Sequence, residues 1–303
     1  MKKISVLNQV TDFDLRLLRV FKIVVESGGF SAAESTLGIT KSAISQHMSD
    51  LEKRLGLRLC QRGRAGFTLT DEGIEVLQAI EALLLSVEDF RSEINLLNKQ
   101  LKGTLNIGLI NNLVTQPQML ISKALSMLQE QSDGVKINIS MSTPSEIAKG
   151  LFDGRLHVGL IPWTNSLSGL EYTQLYEERS NLYCSRNHPL ASVSGHITKN
   201  ILQEADAVVP SYPMNEQAIA MHKLLKCTAT ASDREGIAFL IMTGAYIGFL
   251  PAHYAANWVA KGETQALDVD SQYFNTRLAL VTRQGRRFNS VLESFLSFIH
   301  HES

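Results

Sequence analysis

The sequence has little cysteine and no long apolar run. Cys60, Cys184 and Cys227 are far apart and form no CxxC pair, which argues against a disulfide framework or a zinc site, although a redox-sensing pair of Cys184 and Cys227 remains an alternative. No apolar stretch is long enough to cross a bilayer, and none follows the two N-terminal lysines as a secretory segment would. We therefore expect a cytoplasmic protein with no membrane contact.

Catalytic signatures are also missing from the sequence. Five histidines, at positions 157, 188, 196, 222 and 253, have no metal-ligand spacing, and neither a GxSxG elbow nor a phosphate-binding loop occurs. We expect these histidines to lie on the surface or to be hydrogen-bonded in the core. The sequence therefore predicts a protein that is not an enzyme and needs no cofactor.

Charge is distributed unevenly along a chain of 303 residues, a length that predicts two or three domains. Residues 1–70 carry 11 Lys and Arg against 6 Asp and Glu, whereas residues 71–303 carry 18 against 24. A basic head on an acidic body suits a polyanion-binding module joined to a body with another task. Charge also fluctuates along any chain, so this asymmetry alone does not distinguish a module that binds nucleic acid from an ordinary domain.

Two short helices with a tight turn are predicted after a first amphipathic helix that ends at "ESGGF". Ser31 and Glu34 have capping-box spacing at the start of the second helix, and Gly38 ends it. Thr40 then caps a third helix that runs to about Leu55. This arrangement is a helix-turn-helix.

The third helix has one apolar and one polar face. Ala43, Ile44, Met48, Leu51 and Leu55 form the predicted buried stripe, which leaves Lys41, Ser42, Ser45, Gln46 and Ser49 on the other side. Gln46 suits an adenine edge, and Lys41 suits guanine acceptors or a phosphate. A solvated surface would explain the polarity alone, but not the tight turn and the basic segment that follows.

The segment "RLGLRLCQRGRAGFTLT" predicts a β-hairpin with Gly63 and Gly66 at its tip. Arg58, Arg62 and Arg64 lie on it, where such a wing contacts phosphates or an adjacent minor groove. The complete set of predicted DNA contacts is Ser31, Thr40, Lys41, Ser42, Ser45, Gln46, Ser49, Arg62 and Arg64.

A long helix follows over residues 71–102, capped by Thr70. Leu77, Ile80, Leu84 and Val87 have the spacing of a coiled-coil seam. We expect a homodimer through residues 71–100, and regard packing of the helix on its own body as the less favoured alternative. Two recognition helices then face two half-sites, so the DNA target should be an imperfect inverted repeat.

The remaining chain alternates strands and helices. The predicted strands include "TLNIGLI", "KINISM", "LHVGLIP", "SNLYCS", "AVVP", "YIGFLP" and "LALVTR", with helices near 118–129 and 145–152 and a last helix in "FNSVLESFLSFIH". This pattern predicts sheets with crossovers, and ligands bind such sheets at the carboxyl ends of strands.

The N-terminal segment from "LRLLRVF" through "SAAE", "SAISQ" and "LTDEG" resembles LysR-type transcriptional regulators without a gap. Cys60 stands where the family usually has Phe, and Gln46 where it often has Arg. The resemblance implies an α+β protein with an N-terminal winged helix-turn-helix, a long linker helix and a two-subdomain α/β effector-binding domain resembling periplasmic solute-binding proteins. The domains are then 1–70, 71–102 and 103–303, the last divided into subdomain I (103–162 and 267–303) and subdomain II (163–266).

The resemblance also implies an effector cleft between the subdomains. The matching positions are Asn111, Asn112, Ser142, Thr143, Trp163, Ser211 and Tyr212. Hydroxyls and N–H groups at the helix beginning near Ser145 would suit a carboxylate. Taken singly, each residue is as well explained by a helix cap, a core position or a turn.

These features predict a regulator of transcription that binds double-stranded DNA near a promoter and responds to a small organic ligand, plausibly a carboxylate. The family implies a homotetramer built from two dimers, and contact with RNA polymerase or its exclusion. Two alternatives stay open: a small-molecule binding protein or enzyme whose N-terminal helices serve assembly, and a regulator that needs no effector.

Overall fold

The fold is described from a computed structural model covering residues 9–63, 66–97, 101–193, 197–267, 269 and 272–302. The chain divides into two compact units, one of residues 1–90 with 153–155 and one of residues 91–152 with 156–303. Among the described residues, no helix combines the length and the apolar character needed to cross a membrane.

The first unit is a winged helix-turn-helix. Its elements are α1 (Asp12–Glu26), α2 (Ala33–Leu37), α3 (Lys41–Leu55), β1 (Cys60–Gly63), β2 (Gly66–Leu69) and most of α4 (Asp71–Leu97). Phe21, Ile44, Met48 and Leu51 are fully buried at its centre. Gly38 and Gly56 adopt positive φ values of 65° and 68° after α2 and α3, so both helices end where a left-handed residue is needed.

The predicted capping box at Ser31 is wrong. Helix α2 begins at Ala33, and its N-cap Ala32 has no side chain that can cap. The Glu34 carboxylate accepts a 2.6 Å hydrogen bond from the backbone N–H of Lys41 instead. Glu34 therefore ties α2 to the start of α3, and a real capping box lies at α1, between Thr11 and Asp14.

The wing and the long helix are joined at one tight contact. Strands β1 and β2 pair antiparallel, with Cys60 opposite Leu69. The Thr70 hydroxyl accepts from the N–H of Gly73 and donates to the carbonyl of Arg58. This arrangement fixes the direction in which α4 leaves the wing.

Helix α4 has the predicted apolar residues, but not all of them face outward. Ile80 is 3 % exposed and belongs to the core of the first unit, where Leu77 and Leu84 pack against it. Those three residues of the predicted seam therefore pack within the chain. Leu83, Phe90 and Ile94 are exposed.

The second unit is built on a mixed seven-stranded sheet with the order β10-β6-β11-β5-β3-β4, in which β9 also pairs with β6. A parallel pair of β7 and β8 forms a small separate sheet. The strands are β3 (Gly103–Leu109), β4 (Val135–Met141), β5 (Val158–Pro162), β6 (Leu170–Ser185), β7 (Asp206–Pro210), β8 (Lys226–Ala231), β9 (Gly248–Pro251), β10 (Thr264–Ala266) and β11 (Tyr273–Arg283). The helices are α5 (Leu120–Gln131), α6 (Pro144–Phe152), α7 (Lys199–Glu204), α8 (Glu216–His222), α9 (Arg234–Met242), α10 (Ala252–Ala260) and α11 (Ser290–Glu302).

Two long antiparallel strands run through both halves of this unit. Strand β6 pairs with β11 from Leu170 opposite Arg283 to Asn181 opposite Tyr273. At one end both strands contribute to a core shared with β3, β5, α5 and α11, and at the other they contribute to a core shared with β9. The change of core occurs within β6 and β11, so these strands connect the two halves.

The predicted fold class is confirmed in its three parts: the winged helix-turn-helix, the long helix and the mixed α/β body. Each predicted strand segment overlaps a strand, although "TLNIGLI", "LHVGLIP" and "YIGFLP" extend one or two residues beyond it and "SNLYCS" forms only the last part of β6. Strands β8 and β10 and the first part of β6 were not among the predicted strands.

Candidate functional site

Helix α3 presents a polar surface at its N-terminal end. Thr40, Lys41, Ser42 and Gln46 are exposed, while Ile44 on the opposite side is fully buried. Ser45 and Ser49 are half-buried at the edge of this surface. The amphipathic pattern therefore places the predicted base-reading residues on one accessible face.

Hydrogen bonds hold part of this surface in place. Thr40 caps α3 by accepting from the N–H of Ala43, and its hydroxyl lies 2.9 Å from that of Ser42. The Gln46 amide nitrogen donates a 2.9 Å hydrogen bond to Asp50 one turn later. Because that hydrogen bond is exposed to solvent and lies within one helix, Gln46 can exchange it for a base edge at small cost.

The other predicted DNA contacts differ in how far they are described. Ser31 is exposed just before α2. Arg62 belongs to β1, but its side chain lies outside the described part of the chain, as does the whole of Arg64. Their roles remain predictions.

The second unit contains a cavity of about 260 Å³ where several strand ends meet. Four residues predicted for the effector site, Asn111, Ser142, Thr143 and Tyr212, line it. The other lining residues are Ile110, Met141, Pro144, Glu146, Pro162, Ser232, Asp233 and Arg234. The carboxyl ends of β3, β4 and β5 thus meet residues from beyond β7 and β8, as expected for a ligand site in an α/β sheet.

The N-terminal end of α6 was predicted to bind a ligand carboxylate, but the carboxylate of Glu146 already occupies it. Glu146 accepts from the backbone N–H of Thr143 at 3.0 Å and from its hydroxyl at 2.9 Å, while Thr143 accepts from the N–H of Glu146. The negative charge of Glu146 disfavours the binding of a second anion at this end of the helix. Ser142, whose backbone N–H is bound to the carbonyl of Leu109, contributes its hydroxyl to the lining.

Asn111 and Asn112 have different roles although they are adjacent. Asn111 lines the cavity. Asn112 adopts a positive φ of 69° before a short 3₁₀ turn, and it hydrogen-bonds with Tyr254. Asn112 therefore shapes the loop after β3 through its backbone, although its side chain does not cap the turn.

Tyr212 lies between the larger cavity and a smaller one. Its hydroxyl is hydrogen-bonded to Arg234, and burial raises its pKa even though the Arg234 charge acts in the opposite direction. Tyr212 is therefore a neutral phenol at physiological pH. Ser211 is exposed and bound to the carbonyl of Ala231, as a turn residue would be.

Trp163 is not among the described residues that line the larger cavity, although its neighbour Pro162 is. Its ring stacks on Tyr172 with centroids 5.6 Å apart, and its indole N–H donates to Ser166 at 3.1 Å. It packs against the core that includes β3 and β5. This is the core position considered for Trp163 as an alternative to ligand contact.

A buried carboxylate, Glu178, lies beside the larger cavity and was not predicted from the sequence. It sits on β6, is 2 % exposed, and forms a two-point ion pair with Arg234. It also accepts a 3.1 Å hydrogen bond from the Gln116 amide, and His253 Nε2 lies 3.1 Å away. The hydroxyl of Thr115 lies 2.7 Å from the other ring nitrogen of His253.

This cluster joins the two halves of the second unit. Gln116 follows β3 on one side, whereas Arg234 and His253 begin α9 and α10 on the other. The His253 ring is held on both sides: Nε2 lies 3.1 Å from Glu178 and 3.0 Å from the Gln116 amide nitrogen, and the Thr115 hydroxyl, which donates to the carbonyl of Asn112, can accept from Nδ1. No sequence motif links residues that are 56 to 75 positions away from Glu178, so only the fold reveals them.

Two further histidines make local hydrogen bonds, and neither Cys184 nor Cys227 belongs to the Glu178 cluster. His157 accepts from the N–H of Asn106, and His188 caps a short turn by accepting from the N–H of Leu190. Cys184 is buried, which raises its pKa to about 11, and Cys227 is exposed. No group of three or more His, Cys, Asp or Glu that could hold a metal ion occurs in this described part.

Two family models match the chain. The model described as "Bacterial regulatory helix-turn-helix protein, lysR family" matches residues 15–74, and the model described as "LysR substrate binding domain" matches residues 98–303. Together they span the helix-turn-helix unit and the cavity-containing unit.

Relatives and solved structures extend over nearly the whole length. The chain is 58 % identical to the HTH-type transcriptional activator BauR of Pseudomonas aeruginosa over 294 residues, covering 97 % of this chain and 96 % of that protein. The crystal structure of CbnR, a LysR family transcriptional regulator, matches with a TM-score of 0.70 at 18 % identity, covering 95 % and 98 % of the two chains. ArgP from Mycobacterium tuberculosis matches with a TM-score of 0.61 at 18 % identity over 97 % of both.

Proposed function

We propose, on the premise that the chain belongs to the LysR family of bacterial transcriptional regulators, that α3 reads a promoter sequence under the control of a small ligand bound in the second unit. Family membership makes the chain a regulator and not an enzyme. The observation that carries the DNA-reading part is the exposed polar end of α3 above a fully buried Ile44. The chromosome is the target, so the protein acts in the cytoplasm.

In this proposal, Lys41, Ser42, Ser45 and Gln46 contact bases, and the arginines of the wing fix the register on phosphates. Ser31, Thr40 and Ser49 contact the backbone or approach it closely. The target is an imperfect inverted repeat, because a homodimer joined through α4 presents two recognition helices to two half-sites. Two such dimers form the homotetramer.

The ligand site of the proposal is the cavity of about 260 Å³. A small carboxylate is received by the Ser142 hydroxyl, the Tyr212 hydroxyl and the donors of Arg234 that Glu178 does not occupy. The division into subdomains 103–162 with 267–303 and 163–266 remains part of this proposal, with a hinge within β6 and β11. If the ligand binds one closure state better, it shifts the placement of the paired DNA-binding units.

Activation is proposed over repression because the 58 % identical relative is an activator. The bound tetramer then recruits RNA polymerase at an adjacent promoter. Single-round transcription in vitro from the promoter beside the protein's own gene should rise when protein and ligand are both present. A fall in transcript would show repression and overturn this part.

The DNA-reading proposal is tested by fluorescence polarisation with the intergenic DNA upstream of the gene and with random DNA of equal length, across a salt series. We expect tighter binding to the upstream DNA and a steep loss of affinity with salt. Gln46→Ala should reduce the preference for upstream DNA by about 1–3 kcal/mol. Arg64→Ala should weaken both complexes alike and flatten the salt dependence; an equal loss for both DNAs with Gln46→Ala would rule out base reading by Gln46.

A further inference from the structure

A second, smaller cavity of about 40 Å³ adjoins the proposed ligand site. The two share Pro162, Tyr212 and Arg234 in their walls. The remaining walls of the smaller cavity combine apolar and aromatic side chains, Phe249 and Phe274 among them, with the polar side chains of Thr164, Ser180, Asn215, His222 and Thr276. It is large enough for one or two non-hydrogen atoms, so it can receive the end of a ligand but not a whole one.

His222 lines this smaller cavity and carries a nitrogen without a partner. The residue is 5 % exposed and packs against Phe249 and Phe274, with ring centroids 5.0 and 6.1 Å away. Nδ1 lies 2.8 Å from the carbonyl oxygen of Ala218. Nε2 is buried and makes no hydrogen bond to any of the described residues.

The contact with Ala218 determines what Nε2 can bind. A carbonyl oxygen only accepts, so Nδ1 carries the proton. Burial lowers the pKa of His222, and the hydrogen bond to Ala218 only partly opposes this, so the ring is neutral at physiological pH. Nε2 is then a hydrogen-bond acceptor, and a buried acceptor without a donor is costly.

The charge around the smaller cavity determines which kind of hydrogen-bond donor a ligand can place beside His222. Arg234 is positively charged and lies in the wall that both cavities share. Glu178 already pairs with Arg234, so an ammonium group would find no carboxylate among the described residues that line this cavity, and it would lose its hydration beside Phe249 and Phe274. A neutral hydroxyl avoids both costs.

We infer that the effector is a small hydroxy acid whose hydroxyl enters the cavity beside Phe249 and Phe274 and donates a hydrogen bond to Nε2 of His222. This rests on the proposed function, because it requires a carboxylate in the adjoining larger cavity. His222 is thus the residue that selects the far end of the ligand. A buried site that lacks its partner rejects a ligand without the matching group more strongly than an apolar pocket does.

Calorimetric titration of the full chain tests this with straight-chain acids of three to five carbons that end in a methyl, a hydroxyl or an amino group. For wild type, we expect the best hydroxyl-ended acid to bind about tenfold more tightly than the methyl-ended acid of the same length. His222→Phe keeps an aromatic ring and should remove this preference. His188→Phe replaces another buried histidine outside both cavities and should keep it.

Three outcomes overturn the inference. These are equal binding of hydroxyl- and methyl-ended acids to wild type, a hydroxyl preference that survives in His222→Phe, and tightest binding of the amino-ended acids. If wild type binds no acid, the carboxylate proposal fails and this inference fails with it. If acids bind and alter DNA affinity whatever their end group, only the role of His222 fails.

A measurement on wild type covers the case in which His222→Phe does not fold, as judged by circular dichroism. With ¹⁵N-labelled histidine, the hydroxyl-ended acid should move one unprotonated ring-nitrogen resonance toward the position of a hydrogen-bonded nitrogen. The methyl-ended acid should leave that resonance in place. An unmoved resonance with a bound hydroxy acid would overturn the inference.

Discussion

At the scale of single residues, Asp14 is a buried carboxyl group whose hydrogen-bond and ion-pair partners set its pKa. The residue is 2 % exposed on α1 and forms an ion pair with Arg54 on α3. Its Oδ2 also accepts from the N–H and hydroxyl of Thr11, at 2.8 and 2.7 Å. Burial acts to raise its pKa, but these donors outweigh burial and lower the pKa from 3.8 to about 2.

This lowered pKa predicts acid sensitivity of the first unit. A carboxyl with a lower pKa in the folded state stabilises that state fully above its unfolded pKa, and the stabilisation is lost as pH falls from about 4 to about 2. The shift corresponds to about 2 kcal/mol. The free energy by which Asp14→Asn destabilises the unit should therefore be largest at pH 7 and shrink by about that amount at pH 2.

Hydrogen exchange of peptides from α1 and α3 along a urea titration measures this difference. Tryptophan fluorescence provides the control, because Trp163 and Trp258 both belong to the second unit and should report no change. A destabilisation that stays constant from pH 7 to pH 2 would mean that the ion pair does not set the pKa of Asp14.

In the second unit, the ion pair of Glu178 and Arg234 predicts a large loss of stability when only one of the two partners is replaced. Replacing Glu178 with Gln keeps the shape but leaves the Arg234 charge without its partner. Removing one member of a buried ion pair costs about 3–5 kcal/mol. We expect Glu178→Gln to lose about 3 kcal/mol in urea unfolding followed by tryptophan fluorescence.

A double-mutant cycle isolates the pair. Arg234→Met alone should also destabilise, but the double variant should lose about 1–3 kcal/mol less than the sum of the two single losses, because no lone charge remains. Additive losses would contradict a direct coupling of Glu178 and Arg234.

At the scale of secondary-structure elements, the junction of wing and long helix depends on Gly73. A Cβ atom at this position would lie 2.0 Å from the carbonyl oxygen of Leu59. That oxygen already accepts from the N–H of Thr70, so it cannot move without breaking the junction. Glycine is needed there for close approach.

Gly73→Ala should therefore destabilise the first unit by about 1–3 kcal/mol through overpacking, despite the better helix propensity of alanine. Thermal unfolding by circular dichroism measures the loss. Glu75→Ala changes an exposed residue in the same turn and should leave the melting temperature nearly unchanged. Equal stability of Gly73→Ala and Glu75→Ala would show that the junction can accommodate a Cβ atom at position 73 without cost.

Local signals made the first unit predictable. Helix periodicity, the glycines after α2 and α3, and the alternation in the wing lie within a few residues of the structures they specify. The exception is instructive: Ser31 and Glu34 have the right spacing for a capping box, yet Glu34 binds the N–H of Lys41 across the turn. Spacing cannot show which of two nearby N–H groups a carboxylate reaches.

The cavity proposed as the ligand site was predictable only where its lining follows the ends of strands. Asn111, Ser142, Thr143 and Tyr212 line the larger cavity and come soon after strands visible in the sequence. Glu178, Arg234 and His222 also line or adjoin the cavities, but long-range packing brings them there. Trp163 shows the converse, because its stacking on Tyr172 follows from a neighbour that the pattern does not reveal.

At the scale of the whole molecule, we expect assembly to depend on the apolar residues that α4 exposes. Leu83 and Phe90 are 37 % and 60 % exposed and are seven positions apart, so they lie on one face of the helix. Ile74 is 44 % exposed. It precedes Leu83 by nine residues, which places it about half a turn away, on the opposite face of the helix. A shared apolar face on so long a helix is the surface expected to pair with a second copy.

The double change Leu83→Glu and Phe90→Glu should prevent that pairing, because like charges would meet across a two-fold interface. Sedimentation velocity should show a monomer in place of a dimer or tetramer. Affinity for upstream DNA should fall by far more than tenfold, since a monomer can contact only one half-site at a time. Ile74→Glu is the matched control and should keep both the assembly and the affinity.

The two readouts together separate assembly from DNA reading. If the double variant is monomeric but still binds upstream DNA like wild type, dimerisation is not what places the recognition helices, and the inverted-repeat target is wrong. If Ile74→Glu dissociates the protein and the double variant does not, the partner lies on the other face of α4. Loss of assembly and of affinity in the double variant alone fits only pairing through Leu83 and Phe90.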